Sequence, residues 1–336
     1  MKTSPYSNDQ YTVGWISTLS NELMVAMAML DEDHGRPQGT PREDINAYHL
    51  GRIGDHKVVM TSISGGKTGT APTATVAENL RRTFKNIRFA FLVGAGGGVP
   101  GKSKDIRLGD VVVSYPHKTY TGVVQYDWGT LNGDGNIERK DWFYPPPNKV
   151  LAAVDLLTVY HSRPKNPMNN MSTIMDELGE KYRYPNEDEA EDRLYKADYA
   201  HNPGGRMPCD MCNMEYLILR GDRNPQDKPR VHYGVIASGN MVIRNGVERD
   251  RIDHRYNNSI LCLDTAAAGL MNNIPSLVIQ GISNYSDSHS NNKWENRAVA
   301  AASAYAKELL FQIEPPEVPP VTVTAGAFHA GMLYNL

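Results

Sequence analysis

The sequence predicts an α/β fold: a single three-layer domain with a mixed, largely parallel central sheet flanked by helices and a long irregular insertion. Short apolar segments typical of strands alternate with segments of helical periodicity along the chain. Between about 162 and 229 the chain instead becomes polar and rich in Pro, Asn, Asp and Glu. At 336 residues it is long enough to bury one large core.

The predicted elements follow the apolar pattern. Before the insertion we expect strands at 11–17, 48–53, 57–63, 87–93, 110–114 and 122–126, and helices near 19–30, 76–84 and 150–160. After it we expect strands at 231–238, 260–264 and 276–282, with a turn at 245–246, an Ala-rich helix between the last two strands, and a final helix at about 294–313. The predicted domain is therefore 11–313, with a flexible N-terminus at 1–10 and a Pro-rich flexible tail at 314–336, since proline cannot continue a helix.

Composition excludes several function classes. A net charge of −3 disfavours nucleic-acid and membrane-surface partners, which need a clustered basic face. No segment approaches the roughly 20 apolar residues of a membrane span, and the first residues do not resemble a signal peptide. With only three cysteines, a disulfide framework is not expected. The prediction is a cytoplasmic protein with a small-molecule ligand.

A glycine run follows one predicted strand, at Gly94–Gly98. Its backbone N–H groups could hold an anion or a polar ligand, and Gly94, Ala95 and Gly96 are the candidates. The run matches neither a P-loop nor a dinucleotide-binding fingerprint. A tight loop of close backbone contacts would explain it equally well.

Several segments in a fixed order suggest a family. They are Val13–Glu22, Arg107–Ser114, Gly122–Asp127, Ile236–Ile243, Leu261–Gly269 and Gln280–Asp287. Together they resemble the nucleoside phosphorylase / 5′-methylthioadenosine (S-adenosylhomocysteine) nucleosidase superfamily, especially its fungal branch, over roughly 11–313. The resemblance implies that superfamily's fold and, by analogy, a homo-oligomer.

The resemblance also implies roles for individual residues. Glu22 matches the family's water-activating base, although a carboxylate in the first turn of a helix is also favoured by the helix dipole alone. Met241, Val242 and Ile243 match the segment beside the nucleobase, or else they pack in the core. The family's phosphorylases bind phosphate through Arg and Ser, where this chain has Leu92 and Ala95, so phosphorolysis is the least expected reaction.

Two parts of the site depart from the family pattern. Its ribose-binding Met–Glu pair matches Thr265 and Ala266, and its proton-donating Asp matches Asn284. An amide can hydrogen-bond a purine nitrogen but cannot protonate it, and general acid catalysis contributes about 10²–10⁴-fold. Asp264 and Asp287 are nearby acids, but Asp264 is out of register with the lost pair.

Metal binding is not expected. Cys209 and Cys212 have C-x-x-C spacing, but zinc takes four ligands and no second C-x-x-C exists. His201 or His232 would complete a site only if the fold happened to bring them there. His289 is interpreted as a lone exposed histidine that could pair with Asp287. No cofactor is predicted.

Three functions remain open. The first is a repurposed, cofactor-free enzyme that acts on a small molecule in fungal secondary metabolism, with Glu22 and Asn284 at its catalytic centre. The second is a residual purine nucleosidase in which Glu22 activates water. The third is a non-catalytic ligand-sensing module.

Overall fold

A computed structural model describes residues 2–133, 137–140, 143–163, 171–184, 192–201, 209–223, 229–289 and 292–315. Its strands are β1 (Val13–Ser17), β2 (Glu32–Gly35), β3 (Tyr48–Ile53), β4 (His56–Ser62), β5 (Phe89–Gly98), β6 (Val111–Ser114), β7 (Val123–Gln125), β8 (Gly129–Leu131), β9 (Ile137–Arg139), β10 (Val231–Ser238), β11 (Ile260–Asp264) and β12 (Ser276–Asn284). Its helices are α1 (Ser20–Ala28), α2 (Thr70–Thr83), α3 (Asn148–His161), α4 (Met171–Glu177), α5 (Gly246–Arg255), α6 (Ala267–Leu270) and α7 (Glu295–Phe311).

The central sheet is mixed, as predicted. Its strand order is β11-β10-β6-β12-β5-β1-β4-β3-β2, and β7 pairs with β10. β5 lies between β1 and β12 and is parallel to both, whereas β12 is antiparallel to β6. The end of β5 also pairs with β11 in the antiparallel sense, so the sheet folds back on itself there. This brings the carboxyl ends of β1, β11 and β12 against the last residues of β5.

Alternation along the strands builds a core on each face of the sheet. In β5, Phe89, Phe91 and Val93 join one buried cluster, which includes residues of α1, α3, α4 and α7. Ala90 and Leu92 face the other way, into a cluster with residues of α2 and α6. Both faces of the central strands are thus covered by helices, which confirms the predicted three-layer α/β class.

The structure extends or adds elements that the sequence pattern did not reveal. The predicted strand 87–93 continues as β5 through Gly98, so the glycine run is strand and not a loop. The short strand β2 and the β8–β9 hairpin were not predicted. The predicted turn at Asn245–Gly246 instead begins α5, because the Asn245 side chain accepts the Glu248 N–H and caps the helix.

Described parts of the insertion and of the N-terminus pack against the domain. Within the insertion, Met171 and Met175 of α4 are buried in the core, and Arg223 donates to both carboxylate oxygens of Asp110 at 2.7 and 2.8 Å. The predicted flexible N-terminus instead packs on the domain, where the buried Ser4 hydroxyl lies 2.7 Å from the Tyr11 hydroxyl. Of the predicted tail, 316–336 lie outside the described residues. Among the described helices, none has the length and apolar character needed to cross a membrane.

Candidate active site

A cavity of about 190 Å³ lies where β1, β11 and β12 end against β5. This volume is below the roughly 300–1,000 Å³ of pockets for drug-sized ligands, so it suits a small ligand or one part of a larger one. The lining residues come from six separate parts of the chain: Thr18, Leu19, Glu22, Thr68, Ala95, Gly96, Gly97, Met241, Val242, Ile243, Leu263, Asp264, Thr265, Asn284 and Ser286.

Glu22 is one of two buried acids at this cavity, with 2% of its surface exposed. One carboxylate oxygen, Oε2, accepts the N–H groups of Thr18 and Leu19 at 2.7 and 2.9 Å, and Oε1 accepts the Ala95 N–H at 2.9 Å. Burial raises the pKa of Glu22, with a smaller rise from Asp264 and an opposing effect of the three N–H groups, and the net pKa is about 7. A carboxylate with a pKa near neutrality is suited to accept a proton from water or a ligand.

The glycines of β5 allow other side chains to approach the strand. A Cβ at Gly94 would lie 2.6 Å from Oε1 of Glu22, so Gly94 makes room for this acid. A Cβ at Gly97 would overlap the Ser286 hydroxyl. The predicted anion-binding loop is therefore a strand whose missing side chains form space for the cavity.

Asp264 lies at the cavity, and both of its carboxylate oxygens accept hydrogen bonds from the protein. Oδ1 accepts the N–H groups of Ala266 and Ala267 at 2.8 and 2.6 Å and the Ser238 hydroxyl at 3.0 Å. Oδ2 accepts the Gln280 amide at 2.9 Å. Burial raises the pKa of Asp264, while these hydrogen bonds oppose the rise. Its main role is to hold the start of α6 in place.

Asn284 is the last residue of β12 and lines the cavity beside Ser286. Its Oδ1 accepts the Ser286 N–H at 2.9 Å, and its Nδ2 donates to the Ser283 hydroxyl at 3.1 Å. An amide nitrogen carries two hydrogens, so one donor can still reach a ligand. It has no ionisable proton to give to a leaving group.

An apolar lip forms the outer wall of the cavity. Met241 and Val242 are 59% and 61% exposed, an unusual exposure for large apolar side chains. The Tyr126 hydroxyl donates to the Met241 carbonyl at 2.7 Å, and the Asn240 N–H donates to Asp127 at 2.8 Å. The lip is therefore held in position while its apolar surface remains open to a ligand.

The structure brings most of the predicted site residues together. Nine of them line the cavity: Glu22, Ala95, Gly96, Met241, Val242, Ile243, Asp264, Thr265 and Asn284. Two others have different positions: Gly94 lies behind Glu22, and Ala266 is fully buried, with its N–H bonded to Asp264.

Sequence reasoning missed lining residues next to its own candidates. Thr18 and Leu19 precede Glu22 and supply its N–H donors, and Ser286 follows Asn284 with a φ of 52°. Their adjacency to Glu22 and Asn284 was an available signal. Thr68 comes from the segment before α2, and nothing in its local sequence marks it as a lining residue.

A second group of polar side chains meets outside this cavity. The ligand atoms of His201, Cys209, Cys212 and His289 all lie within 4.8 Å of one another. His289 is 8% exposed, so its interpretation as a lone exposed histidine is wrong. Asp287 bonds the backbone N–H of His289 and not its ring. The other candidate, His232, instead bonds Asp110 at 2.8 Å.

Comparisons with known proteins agree on the fold. No family model matches the chain. The 5′-methylthioadenosine/S-adenosylhomocysteine nucleosidase of Neisseria meningitidis is similar to it, with a TM-score of 0.57 and 12% identity over 89% of this chain and 98% of that one. For the corresponding protein of Borrelia burgdorferi, the TM-score is 0.58 and the identity 15%, over 90% of this chain and 100% of that one. For futalosine hydrolase of Helicobacter pylori, the TM-score is 0.55 and the identity 12%, over 91% of this chain and 100% of that one.

The chain therefore has the fold of the nucleoside phosphorylase/nucleosidase superfamily, which confirms the resemblance read from its motifs. A relative in sequence is a nucleotide-binding leucine-rich repeat (NLR)-like protein of the fungus Hyaloscypha variabilis, 37% identical over 313 residues. The match covers 93% of this chain and 30% of that protein, so the chain spans less than a third of its relative's length.

Proposed function

We propose that this chain is a repurposed enzyme that binds a small molecule with a flat ring in the Glu22 cavity and acts on it by base-assisted chemistry. The observation that carries the proposal is a buried carboxylate with a pKa of about 7 at the wall of a cavity with an exposed apolar lip. The nucleosidase fold of the chain and the fungal origin of its relative are consistent with an unusual member in fungal metabolism.

Glu22 is the base in this proposal. Among the described residues, Ala95 alone donates to its Oε1, so a lone pair remains for a water molecule or a ligand. Ionised Glu22 would take a proton from water as the water attacks, which requires a pH above about 7 for full effect. Catalysis should therefore increase as the pH rises through this value.

Asn284 restricts the substrate. Since the amide can donate a hydrogen bond but no proton, the leaving group has to depart without protonation at this position. Good leaving groups meet this condition; the cationic base of N7-methylguanosine, for example, departs as a neutral molecule. Ordinary adenosine and guanosine do not meet it.

Thr265 and Ala266 restrict the substrate in a second way. Ala266 is fully buried and Thr265 offers one hydroxyl, so neither can bind two sugar hydroxyls as a carboxylate does. A sugar next to these residues is therefore held less tightly, and its cleavage depends more strongly on a good leaving group.

A substrate panel tests the proposal. The purified chain would be incubated with N7-methylguanosine, 4-nitrophenyl ribofuranoside, guanosine, adenosine and 5′-methylthioadenosine, and the released base or phenol would be measured. We expect turnover of the first two, at least tenfold faster than of the last three. Faster cleavage of adenosine or methylthioadenosine would instead support the residual nucleosidase. If no panel compound is bound or turned over, both the repurposed enzyme and the nucleosidase are contradicted.

A second candidate is a ligand-sensing module, favoured by the NLR-like description of the fungal relative, in which the matched region is 30% of the protein. A sensor would bind a panel compound, as measured by calorimetry, without consuming it. Glu22→Gln would then leave turnover at zero and change only affinity. Homo-oligomer formation and a cytoplasmic location stay predictions.

A further inference from the structure

Four side chains from two distant parts of the chain converge on one point. His201, Cys209 and Cys212 belong to the insertion, and His289 follows β12. The Cys212 sulfur lies 3.2 Å from Nδ1 of His201 and 3.5 Å from Nδ1 of His289, and the Cys209 sulfur lies 3.8 Å from Nδ1 of His201. A tetrahedral zinc ion with bonds of about 2.3 Å to sulfur and 2.0–2.1 Å to nitrogen separates its ligands by roughly 3.3–3.8 Å.

The local backbone directs both sulfurs to the same side. Cys209–Met211 forms one 3-10 turn, and the Cys212 N–H donates to the Cys209 carbonyl at 3.1 Å. Two cysteines at C-x-x-C spacing on such a turn can chelate one ion. Hydrogen bonding alone would not require two thiols and two imidazoles to meet.

The histidines are oriented by their other contacts. Nε2 of His289 lies 2.9 Å from the Tyr199 carbonyl, which places the proton on Nε2 and leaves Nδ1 as the lone pair that faces Cys212. The Tyr195 ring stacks on His289 with centroids 4.2 Å apart. The His201 backbone N–H donates to the Ser288 hydroxyl at 2.8 Å, which ties the two segments together beside the cluster. A ligand histidine with its second nitrogen bonded to a carbonyl is typical of metal sites.

We propose that His201, Cys209, Cys212 and His289 bind one zinc ion in a closed Cys₂His₂ site. On binding, the two thiols release their protons to solvent and four protein bonds fill the tetrahedral shell. No position remains for a substrate, so the ion is structural. It would replace the expectation of no metal, which rested on the lack of a second C-x-x-C in the sequence.

The position of the site gives the zinc ion a structural role near the cavity. His289 is five residues beyond Asn284, in the loop that also carries Ser286. Zinc would cross-link this loop to the insertion and so fix the backbone on the Asn284 side of the cavity. This holds whatever ligand the cavity binds.

Metal analysis of the full chain tests the proposal. The protein would be expressed with zinc supplementation, passed through metal-free buffer and analysed by mass spectrometry for metals. We expect one zinc per chain in the wild type and in Cys262→Ser, which removes the third cysteine, and an at least roughly tenfold loss in Cys212→Ser and in the Cys209→Ser/Cys212→Ser double variant. A chelator should lower the Tm of the wild type.

If the variants do not fold, cobalt substitution of the wild type tests the zinc site independently. Tetrahedral thiolate-bound cobalt gives intense visible d–d absorption and near-ultraviolet charge transfer, and zinc should abolish both signals. Less than about a tenth of an equivalent of zinc together with absent cobalt bands would overturn the proposal. A Cys209–Cys212 disulfide, detected as a 2 Da loss in the intact mass, would overturn it as well, and so would variants that retain full zinc.

Discussion

The two sides of the cavity differ in how their polar residues are held. Glu22 follows β1, is 2% exposed and binds three backbone N–H groups. Asn284 ends β12 on the other side of β5 and is half-buried, and among the described residues its side chain hydrogen-bonds its neighbours Ser283 and Ser286. The fold needs an acceptor of several hydrogen bonds at residue 22, whereas these side-chain hydrogen bonds of residue 284 are local.

This difference explains how one acid can be retained while another position changes. Asp and Asn have nearly the same shape, and the Ser286 N–H requires only an oxygen at Oδ1, which both provide. The change at residue 284 therefore alters chemistry with little structural cost. At residue 22 the loss of an oxygen would leave buried N–H groups without a partner, which costs about 1–3 kcal/mol each.

The largest effect is expected from Glu22→Gln. Loss of the base should lower kcat on the best panel substrate by about 10²–10⁴-fold. The control is Glu78→Gln, which changes an exposed glutamate paired with Arg81 on α2 and should retain full activity. Equal activity of the two variants would show that the Glu22 side has no catalytic role.

The second-largest effect is expected in the pH dependence of stability, because Glu22 titrates and Asn284 does not. The pKa of Glu22 rises from 4.5 to about 7 on folding, so the unfolded state ionises first as the pH increases. Its contribution to stability is fully present below pH 4.5 and is lost as the pH passes 7, by about 3 kcal/mol in total. Urea unfolding at pH 5 and pH 8.5 should show this extra loss in the wild type and not in Glu22→Gln. Parallel pH profiles of the two proteins would contradict it.

Asn284→Asp should add a proton donor on the Asn284 side of the cavity. We expect a gain of about 10–100-fold in cleavage of adenosine or guanosine, with little change for N7-methylguanosine, whose base leaves unprotonated. Free-base release at pH 6 measures both. A uniform change across the panel would indicate an effect on binding and not on proton transfer.

The smallest effect is expected at Asp264. In Asp264→Asn the remaining Oδ1 can still accept from Ser238, Ala266 and Ala267, and the new amide can donate to Gln280, whose Oε1 has no partner among the described residues. The free energy of unfolding should fall by less than about 1 kcal/mol. Asp264→Ala leaves all these donors without an acceptor, and the free energy of unfolding should fall by about 3 kcal/mol or more. Equal losses in urea titrations of the two variants would show that charge, not hydrogen bonding, holds this residue.

Local patterns accounted for the parts of the site that are close in sequence. Short apolar segments identified most strands, and the resemblance of the segment after β1 to the family's opening motif identified Glu22. The pattern failed at Gly94–Gly98, because glycines are typical of loops and only the side chains of neighbouring strands show why they lie in a strand here.

The sequence by itself determined the α/β class, the order of most elements and the chemical identity of residues 22 and 284, since these depend on periodicity and on residue type. Only the tertiary structure decided that both oxygens of Asp264 are hydrogen-bonded, that Ala266 is fully buried, and that His201 and His289 meet at the C-x-x-C turn. Those facts depend on contacts between segments up to 88 residues apart, from His201 to His289. Chain folding, and no local pattern, sets such distances.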